Sequence, residues 1–384
     1  MKTRRDQLAV HGGRPAFEEV RHVGRPNIGD RARFLERAAG ILDRRWLTND
    51  GEMVRAFERE VAAAAGVPHC VAVCNGTLAL ALAARALGLA GEVIVPSFTF
   101  VATAHVLEWH GLAPVFCDVD PRTHTIDPAC VDALVTPKTC AILGVHLWGV
   151  ACDVEGLQAV AARHGLRLFF DAAHAFACEH RGAAVASFGE AAALSFHATK
   201  IVNSFEGGAV ATHDAGLAAR LRLLRNSGFA GVDRVVAVGL NAKMTEIAAA
   251  MGLTSLEALP SFLEANHRNY AAYERELAGI PGVRLAATGS SRAHVVAEID
   301  EQAAGLSRDR LVEILWAENV RARRYFHPGC HRQPPYLERY PGAAARLPIT
   351  ERLSARVLAL PTGTAVTPDD VAVICSIIRV ALTR

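Results

Sequence analysis

The chain has little net charge, no long apolar run and no paired cysteine motif. Its 384 residues carry a formal charge of +2, a field too weak to favour nucleic acid or an anionic membrane as a partner. No apolar stretch is long enough to span a bilayer, and the N-terminal residues lack the apolar core of a signal peptide. We therefore expect a soluble cytoplasmic protein that has no nucleic-acid or membrane partner and binds a small molecule.

The nine cysteines form an odd, scattered set without a C-x-x-C pair. Most of them lie in apolar surroundings, as the reduced core thiols of cytosolic proteins do. His327, Cys330 and His331 cluster beside prolines, but no second pair of ligands accompanies them. The sequence thus predicts neither disulfides nor a metal site.

Short motifs of several common classes are also missing. Neither G-x-G-x-x-G nor G-x-x-x-x-G-K-[ST] occurs, which argues against a simple nucleotide-binding module. The absence of G-x-S-x-G argues against a serine hydrolase. Lysine itself is scarce, with four residues at positions 2, 138, 200 and 243. Of these, Lys200 follows a predicted strand, in the stretch SFHATKIVNSFEGG.

The composition, 51% hydrophobic and 21% charged, predicts a folded chain of two domains around one substantial core. Between residues 70 and 212, short β-branched runs alternate with helix-length segments. This alternation predicts an α/β large domain, residues 1–255, whose mostly parallel sheet is buried on both faces. The predicted strands are 70–73, 92–96, 113–119, 140–147, 166–171, 192–196 and 208–212.

After about residue 255 the alternation loosens. Strands at 283–287 and 294–299 and a helix near 306–318 predict a smaller C-terminal α+β domain, residues 256–384. A last helix is expected to begin at its N-cap, Thr367.

In open α/β sheets, ligands collect at the carboxyl ends of the strands. Gly76-Thr77 opens a helix there whose free amides suit a phosphate, although Thr77 equally serves as an ordinary N-cap. Asp171 ends a strand and needs a cation or a donor, or else caps a helix. Lys200 becomes a Schiff-base nucleophile if it is desolvated, although most lysines are solvated charges. With the aromatic face of Phe100, this combination is what pyridoxal phosphate requires.

Four motifs, in this order, resemble those of the DegT-type sugar aminotransferases: CNGTLAL, VPSFTFVATA, DAAHAFACEHRGAAVASFGEAAALSFHATKIVNSFEGG and GLNAKMTEIAAAMGL. These relatives are pyridoxal-phosphate enzymes with the aspartate aminotransferase fold, fold type I. The resemblance runs from residue 47 to about 255 and resumes more weakly at 321–331. It implies the same fold, the same cofactor and a transaminase activity.

By motif position, the resemblance implies that Lys200 bonds covalently to the cofactor and that Asp171 pairs with its pyridine nitrogen. Phe100 would stack on the ring. His174 would lie near the ring hydroxyl as a third catalytic residue; the alternative is a histidine that merely caps a turn. The phosphate of the cofactor would be held by the start of the helix at residues 76–78 and by the Ser195 hydroxyl. The groups in the helix are Gly76 and the amides of Thr77 and Leu78.

The resemblance also implies the reaction and the assembly. L-glutamate would give its amino group to the cofactor while Lys200 moves the proton, and a ketone would receive the amine in the reverse half-reaction. Relatives that dehydrate sugars carry His in place of this lysine, so Lys200 favours transamination. Asn241 matches a position that reaches the phosphate from the neighbouring subunit, which implies a homodimer with a shared site. Lys243 stands where many relatives carry Arg; it keeps the charge but not a bidentate contact.

The ketone is expected to be a nucleotide-linked keto sugar. HLWG (146–149) and ARRYF (322–326) resemble members that aminate C4 of a dTDP-4-keto-6-deoxyhexose in deoxyaminosugar biosynthesis. His146 and Trp148 would then line the sugar pocket; the alternative is a core tryptophan. The expected substrate contacts in the second motif are Arg323 and Arg324, at the diphosphate, and Tyr325. The alternative there is an edge strand with exposed arginines.

Two alternatives to this function remain open. The N-terminal stretch HGGRPAF also resembles members that aminate cyclitols, so a keto-cyclitol or a 3-keto sugar in antibiotic biosynthesis is the second candidate. A non-catalytic relative that keeps the cofactor pocket is the third.

Overall fold

The computed structural model describes residues 1–382. Its helices are α1 (Arg31–Arg44), α2 (Glu52–Ala64), α3 (Gly76–Ala86), α4 (Ala102–Trp109), α5 (Pro128–Leu134), α6 (Val154–His164), α7 (Ala215–Arg225), α8 (Glu246–Glu257), α9 (Leu259–Leu277), α10 (Glu301–Ala304), α11 (Arg308–Ala317), α12 (Pro334–Arg339), α13 (Pro348–Arg356) and α14 (Pro368–Leu382). Its strands are β1 (Arg21–His22), β2 (His69–Val73), β3 (Glu92–Pro96), β4 (Ala113–Cys117), β5 (Thr139–Val145), β6 (Arg167–Asp171), β7 (Glu179–His180), β8 (Ala183–Ala184), β9 (Ala192–Ser195), β10 (Gly208–Thr212), β11 (Val283–Leu285), β12 (Val295–Ile299), β13 (Val320–Arg321) and β14 (Val357–Leu360).

The central sheet has seven strands in the order β2-β10-β9-β6-β5-β3-β4. The strands from β4 to β9 pair in parallel, and β10 lies antiparallel between β9 and β2. The predicted α/β fold with a mostly parallel sheet is confirmed. The reversal of β10 was not predicted, because an apolar run shows that a strand is buried but not which way it runs.

Apolar layers cover both faces of this sheet. Helices α2, α6 and α8 pack on one face, and α3, α4 and α7 on the other. Side chains alternate between the layers: Cys70 and Ala72 of β2 face the first, and Val71 and Val73 face the second. Burial on both faces explains why the strands are apolar throughout rather than alternating with polar residues.

The C-terminal part of the chain forms a three-stranded antiparallel sheet in the order β11-β12-β14. Helices α9, α11 and α14 pack on it. Leu8 and Phe17, from the N-terminal segment, are buried in the same core, and β1 pairs in parallel with β13. The N-terminal segment therefore packs on the C-terminal part, while the predicted domain boundary at residue 255 stays a prediction.

Two helix starts bear on the sequence interpretation. Thr367 caps α14 as expected: its hydroxyl accepts from the Asp370 amide at 3.1 Å, and the Asp370 carboxylate accepts from the Thr367 amide at 2.9 Å. The N-cap of α3 is Asn75, whose side chain accepts from the Leu78 amide at 2.8 Å. Thr77 is thus not the cap of α3, contrary to the alternative offered by the sequence.

Within residues 1–382, no helix combines the length and the apolar character that crossing a membrane requires. The same residues contain no cluster of three or more side chains suited to hold a metal ion. All nine cysteines fall in this range and carry free thiols.

Candidate active site

A cavity of about 620 Å³ opens at the carboxyl ends of the central strands. It is bounded by the N-terminal segment 23–27, the start of α3, the loop after β3, the end of β6, the loop after β9 and three segments from the C-terminal part of the chain, 293–295, 323–326 and 359–363. Nine of the residues predicted as site residues line it: Gly76, Thr77, Phe100, Asp171, His174, Ser195, Lys200, Arg323 and Tyr325.

Lys200 lies in the loop between β9 and β10, where it is partly exposed to the cavity. Burial lowers the pKa of its amine from 10.5 to about 8, and the Asp171 carboxylate offsets only part of this shift. Phe196, which leads into the loop, packs edge-on against Phe57 and Phe176 at ring-centroid distances of 5.0 and 5.3 Å. A buried aromatic cluster thus fixes the loop, and the amine it carries loses its proton much more easily than an exposed lysine.

Asp171 is the last residue of β6 and is 6% exposed. Its carboxylate does not cap a helix; one oxygen accepts from the Thr103 hydroxyl at 2.9 Å and the other from the Ala173 amide at 3.0 Å. Burial raises the pKa of Asp171, and the two donors and Lys200 oppose that shift. The carboxylate is therefore oriented by two hydrogen bonds and prepared to pair with a cationic group in the cavity.

The start of α3 forms an anion cradle with Ser195. The amides of Gly76 and Thr77 occupy the first turn, where a helix offers no internal acceptor. A Cβ added to Gly76 would lie 2.8 Å from the Ser195 Cβ, so glycine permits the close approach of the two segments. The amide of Leu78, by contrast, is already bonded to Asn75. Of the two predicted amides, the structure therefore leaves that of Thr77 free to hold a phosphate, and the Gly76 amide lies beside it in the first turn.

His174 lies in the cavity wall, stacked on Trp148 at 5.6 Å and 4.3 Å from the ring of His294. Its Nδ1 is buried and has no hydrogen-bond partner within residues 1–382. Burial, together with the charge of Lys200, lowers the pKa of His174 well below 6.5. The ring is therefore neutral and keeps one polar atom available for a ligand.

Phe100 follows β3 and is 58% exposed, with its ring on the boundary of the cavity. An exposed aromatic side chain at this position offers an apolar face to a planar ligand.

His146 and Trp148 lie in the core instead of on the cavity surface. His146 is fully buried, stacks on Phe170 at 4.3 Å and accepts from the Cys152 amide at 3.1 Å. Trp148 is 1% exposed and its indole donates to His124 at 3.3 Å. Its backbone has a left-handed φ of 56°, and its ring stacks on Phe326 at a centroid distance of 5.3 Å. Trp148 is therefore a core residue, which was the alternative that the sequence left open. Neither His146 nor Trp148 lines the cavity, although both were predicted to contact the sugar.

The three substrate residues after β13 lie at the cavity mouth. The backbone of Arg323 forms an isolated antiparallel β-bridge with Ala359. Its side chain is exposed, and the guanidinium lies over the Tyr325 ring at 5.1 Å from the ring centroid. Arg324 points away and pairs with Asp309 at 3.1 Å. A second groove, of about 610 Å³, adjoins the cavity here and is lined by both arginines and by Tyr325. The structure thus separates Arg323, which faces both spaces, from Arg324, which faces the groove alone.

Asn241 is exposed and does not line the cavity of its own chain. The adjacent Ala242 carbonyl accepts from the Cys74 amide at 2.9 Å, next to the start of α3. Lys243 donates to Asn226 at 2.9 Å. The predicted contact of Asn241 with a partner subunit stays a prediction.

Sequence reasoning missed four residues of the site. His294 and Arg25 line the cavity, Thr103 binds Asp171, and Asn27 connects several segments of the wall. Thr103 is a buried polar residue in an apolar helix, which is a signal that the sequence contains. The other three come from segments far away in the chain, so no local pattern points to them.

Known proteins share this fold and sequence. The model of the DegT/DnrJ/EryC1/StrS aminotransferase family matches residues 29–379. The chain is 34% identical over 369 residues to the dTDP-4-amino-4,6-dideoxy-D-glucose transaminase of Shigella dysenteriae, which covers 94% of this chain and 99% of that protein. It is 38% identical over 338 residues to the GDP-perosamine synthase of Caulobacter vibrioides, with 86% and 90% covered.

A solved structure, of DesI in the presence of its TDP-sugar product, superposes with a TM-score of 0.93 at 52% identity and covers 99% of this chain and 97% of the DesI chain. The matches extend over both the central sheet and the C-terminal part. They confirm the predicted fold and the predicted enzyme class. The chain belongs to the DegT/DnrJ/EryC1/StrS aminotransferase family.

Proposed function

We propose that this chain moves the amino group of L-glutamate to a keto sugar nucleotide, a dTDP-4-keto-6-deoxyhexose, in deoxyaminosugar biosynthesis. The observation that carries the proposal is the shared cavity of Lys200 and Asp171, where an amine with a pKa of about 8 and a buried carboxylate face a helix N-terminus. These are the nucleophile, the ring-nitrogen partner and the phosphate anchor that amino transfer through pyridoxal phosphate needs.

Pyridoxal phosphate is the cofactor that the family implies, and the residues of the cavity fit it. The cradle of Gly76, Thr77 and Ser195 suits its phosphate, the exposed Phe100 suits its ring, and the partnerless Nδ1 of His174 suits a polar ring substituent. When bound, the cofactor supplies an aldehyde that condenses with amines and a ring that takes up the electrons released at the donor carbon.

The chain's own groups then divide the work. Lys200 would anchor the cofactor; its released amine would carry the α-proton of the amino donor to the cofactor carbon in the first half-reaction, and in the second it would deliver a proton to the carbon that receives the amine. Asp171, held by the Thr103 hydroxyl and the Ala173 amide, keeps the proton on the pyridine nitrogen. Phe100 would offer its ring face to the cofactor ring, and the Nδ1 of the neutral His174 would bind a polar ring substituent.

Relatives support the sugar nucleotide as the acceptor. Two are dTDP-4-amino-4,6-dideoxy-D-glucose transaminases, from Shigella dysenteriae and from Escherichia coli, and DesI was crystallised with a TDP-sugar product. Within the chain, Arg323 at the cavity mouth and the adjoining groove provide room and positive charge for a diphosphate. A keto-cyclitol carries no diphosphate, so the basic groove favours the sugar nucleotide over that alternative.

A homodimer is part of the proposal because large apolar side chains are exposed on two segments. The first is the loop before α8, where six side chains are between 37% and 88% exposed: Phe229, Val232, Val235, Val236, Val238 and Leu240. The second is α1 with its flanks, where five are at least 53% exposed: Ile28, Leu35, Leu42, Trp46 and Leu47. Exposed apolar patches of this kind mark protein interfaces. Asn241 directly follows the first segment, so a second copy seated there would receive it.

The test is a panel of acceptors. The protein is first converted to its amine form with L-glutamate, and the 2-oxoglutarate released is measured. It is then mixed separately with dTDP-4-keto-6-deoxyglucose, a 3-keto sugar nucleotide and a keto-cyclitol, and the visible absorption of the aldehyde form is followed. We expect only the 4-keto sugar nucleotide to restore it. Restoration by the cyclitol alone would overturn the proposed acceptor, and no 2-oxoglutarate at all would indicate a non-catalytic relative.

A further inference from the structure

The N-terminal segment 23–27 forms one wall of the cavity, directly against the loop that carries Lys200. Gly24 has a left-handed φ of +75°, and a Cβ added to it would lie 2.9 Å from the Cβ of Thr199. Since Thr199 precedes Lys200, any side chain at position 24 would push the segment off the lysine loop. The close approach places the next residue, Arg25, at the edge of the reaction site.

Asn27 fixes this segment from both sides. The side-chain amide of Asn27 donates to the backbone carbonyl of Ile201 at 3.2 Å, and the backbone carbonyl of Asn27 accepts from the side-chain amide of Asn203 at 2.7 Å. These two bonds connect Asn27 to the loop that carries Lys200. Its side-chain oxygen accepts from the amide and the hydroxyl of Thr364, both at 3.0 Å, so it is also tied to the C-terminal part. A 6% exposed residue with these contacts holds the segment at a fixed position.

Arg25 is a cation without an anionic partner. Its side chain is exposed to the cavity, and no hydrogen bond or ion pair of its guanidinium occurs within residues 1–382. Arg21, four residues earlier, is paired with Asp370 at 3.2 Å. Arg25 thus sits on a fixed wall beside Lys200 with five donors free, the arrangement in which arginine binds carboxylate or phosphate groups.

The position of Arg25 distinguishes between the two anionic substrates. The carboxylate of an amino acid is attached to the same carbon as its amino group, so it must bind close to Lys200. The diphosphate of a sugar nucleotide is separated from C4 by the sugar ring, so it must bind farther out. Arg25 lines the cavity of Lys200 and not the adjoining groove, whereas Arg323 lines both.

We propose that Arg25 binds the α-carboxylate of the amino donor, held in place by Gly24 on Thr199 and by the hydrogen bonds of Asn27. This inference rests on the proposed aminotransferase function and adds to it a residue for the donor, separate from the diphosphate site at Arg323. It assigns the N-terminal segment to substrate selection, as the wall that an amino acid must contact to reach Lys200.

The test compares Arg25→Gln, Arg25→Lys and Arg14→Gln with the wild type. Arg14 is an exposed arginine of the same N-terminal segment that lies outside the cavity, so its variant is the matched control. We expect Arg25→Gln to raise the L-glutamate concentration for half-maximal rate of the first half-reaction by about tenfold to a hundredfold, since a charge-assisted, two-pronged contact is lost. Arg25→Lys keeps the charge but not the two-pronged contact, so its L-glutamate concentration for half-maximal rate should lie between those of the wild type and Arg25→Gln.

A binding measurement separates this inference from activity. Glutarate and thymidine diphosphate are titrated calorimetrically into the cofactor-loaded wild type and Arg25→Gln. We expect glutarate to bind Arg25→Gln at least tenfold more weakly and thymidine diphosphate to bind both within twofold. Equal glutarate affinity, no glutarate binding by the wild type, or a loss confined to thymidine diphosphate would each overturn the role of Arg25. If the wild type releases no 2-oxoglutarate from glutamate, the proposed function fails, and the glutarate titration still decides the role of Arg25.

Discussion

Thr103 Oγ1 donates a hydrogen bond of 2.9 Å to Asp171 Oδ2 in the buried base of the cavity. Thr103 is fully buried in α4, and its hydroxyl also lies 3.0 Å from that of Thr99, which lines the cavity. Burial alone raises the pKa of Asp171. The threonine therefore opposes the protonation that burial favours and keeps the carboxylate able to pair with a ring nitrogen.

Replacing Thr103 by Val should move the acidic limb of the pH–rate profile to higher pH. Without the donor the pKa of Asp171 rises further, so the carboxylate ionises only at higher pH. A hydrogen bond to a charged group contributes about 1.5–3 kcal/mol, so the limb should move by about one to two pH units. Thr103→Ser keeps the hydroxyl and serves as the rescue control. A Val variant with an unchanged profile would show that Thr103 does not tune Asp171.

The lysine titration can be measured directly because the chain has only four lysines. In cofactor-free protein labelled with ¹³C at the lysine ε-carbon, we expect the Lys200 resonance to titrate near pH 8, below the ordinary lysine value of 10.5. The cause is burial, which favours the neutral amine, so the free base is half populated at pH 8. The resonance must vanish in Lys200→Ala. A Lys200 resonance that titrates above pH 10 would contradict the proposed desolvation.

Trp148 should be a stability residue. Its ring is 1% exposed and packs against Phe326 at 5.3 Å and His174 at 5.6 Å. Trp148→Ala should lower the free energy of unfolding by about 3–5 kcal/mol, as large-to-small core changes do. Trp148→Phe should lower the free energy of unfolding much less than Trp148→Ala, because the smaller aromatic ring still fills most of the space. Denaturant unfolding checks both variants, and a stable Ala variant with a raised KM for the sugar nucleotide would instead support direct substrate contact.

The exposed loop before α8 should be needed for dimer formation. Val238 is 82% exposed there, and Val238→Asp places a charge that an apolar interface cannot solvate. We expect this variant to sediment as a monomer and to lose cofactor, since Asn241 is three residues away. Trp109→Asp is the control, because Trp109 is 88% exposed at the end of α4 and belongs to neither apolar segment. A Val238 variant that remains dimeric would move the interface elsewhere.

The strands that position Gly76, Asp171 and Lys200 could be predicted from the sequence alone. Gly76 follows β2, Asp171 ends β6 and Lys200 follows β9, and the carboxyl ends of these three strands, which run in the same direction, lie along one edge of the sheet. Local pattern and topology therefore agreed for these residues. The family resemblance added the roles that no spacing reveals.

Long-range packing accounts for what the sequence did not show. His294 and Arg25 reach the cavity from segments whose position depends on the pairing of β1 with β13 and of β12 with β14. Asn75 rather than Thr77 caps α3, because its extended backbone, with φ −165° and ψ 167°, aims the side chain at the helix. The sequence left Trp148 open between the sugar pocket and the core; its ring is 1% exposed and packs against His174 and Phe326, which come from other segments of the chain.

Lys200 is the proposed nucleophile, and an absorption spectrum tests this role. Purified wild-type protein loaded with pyridoxal phosphate should show the visible absorption of a cofactor bound covalently to a lysine, and the band should shift when L-glutamate is added. Lys138 is exposed and lies outside the cavity, so Lys138→Ala should behave like the wild type. Lys200→Ala should lose the band and produce no 2-oxoglutarate. A Lys200→Ala protein that keeps the wild-type band and its response to glutamate would contradict the account.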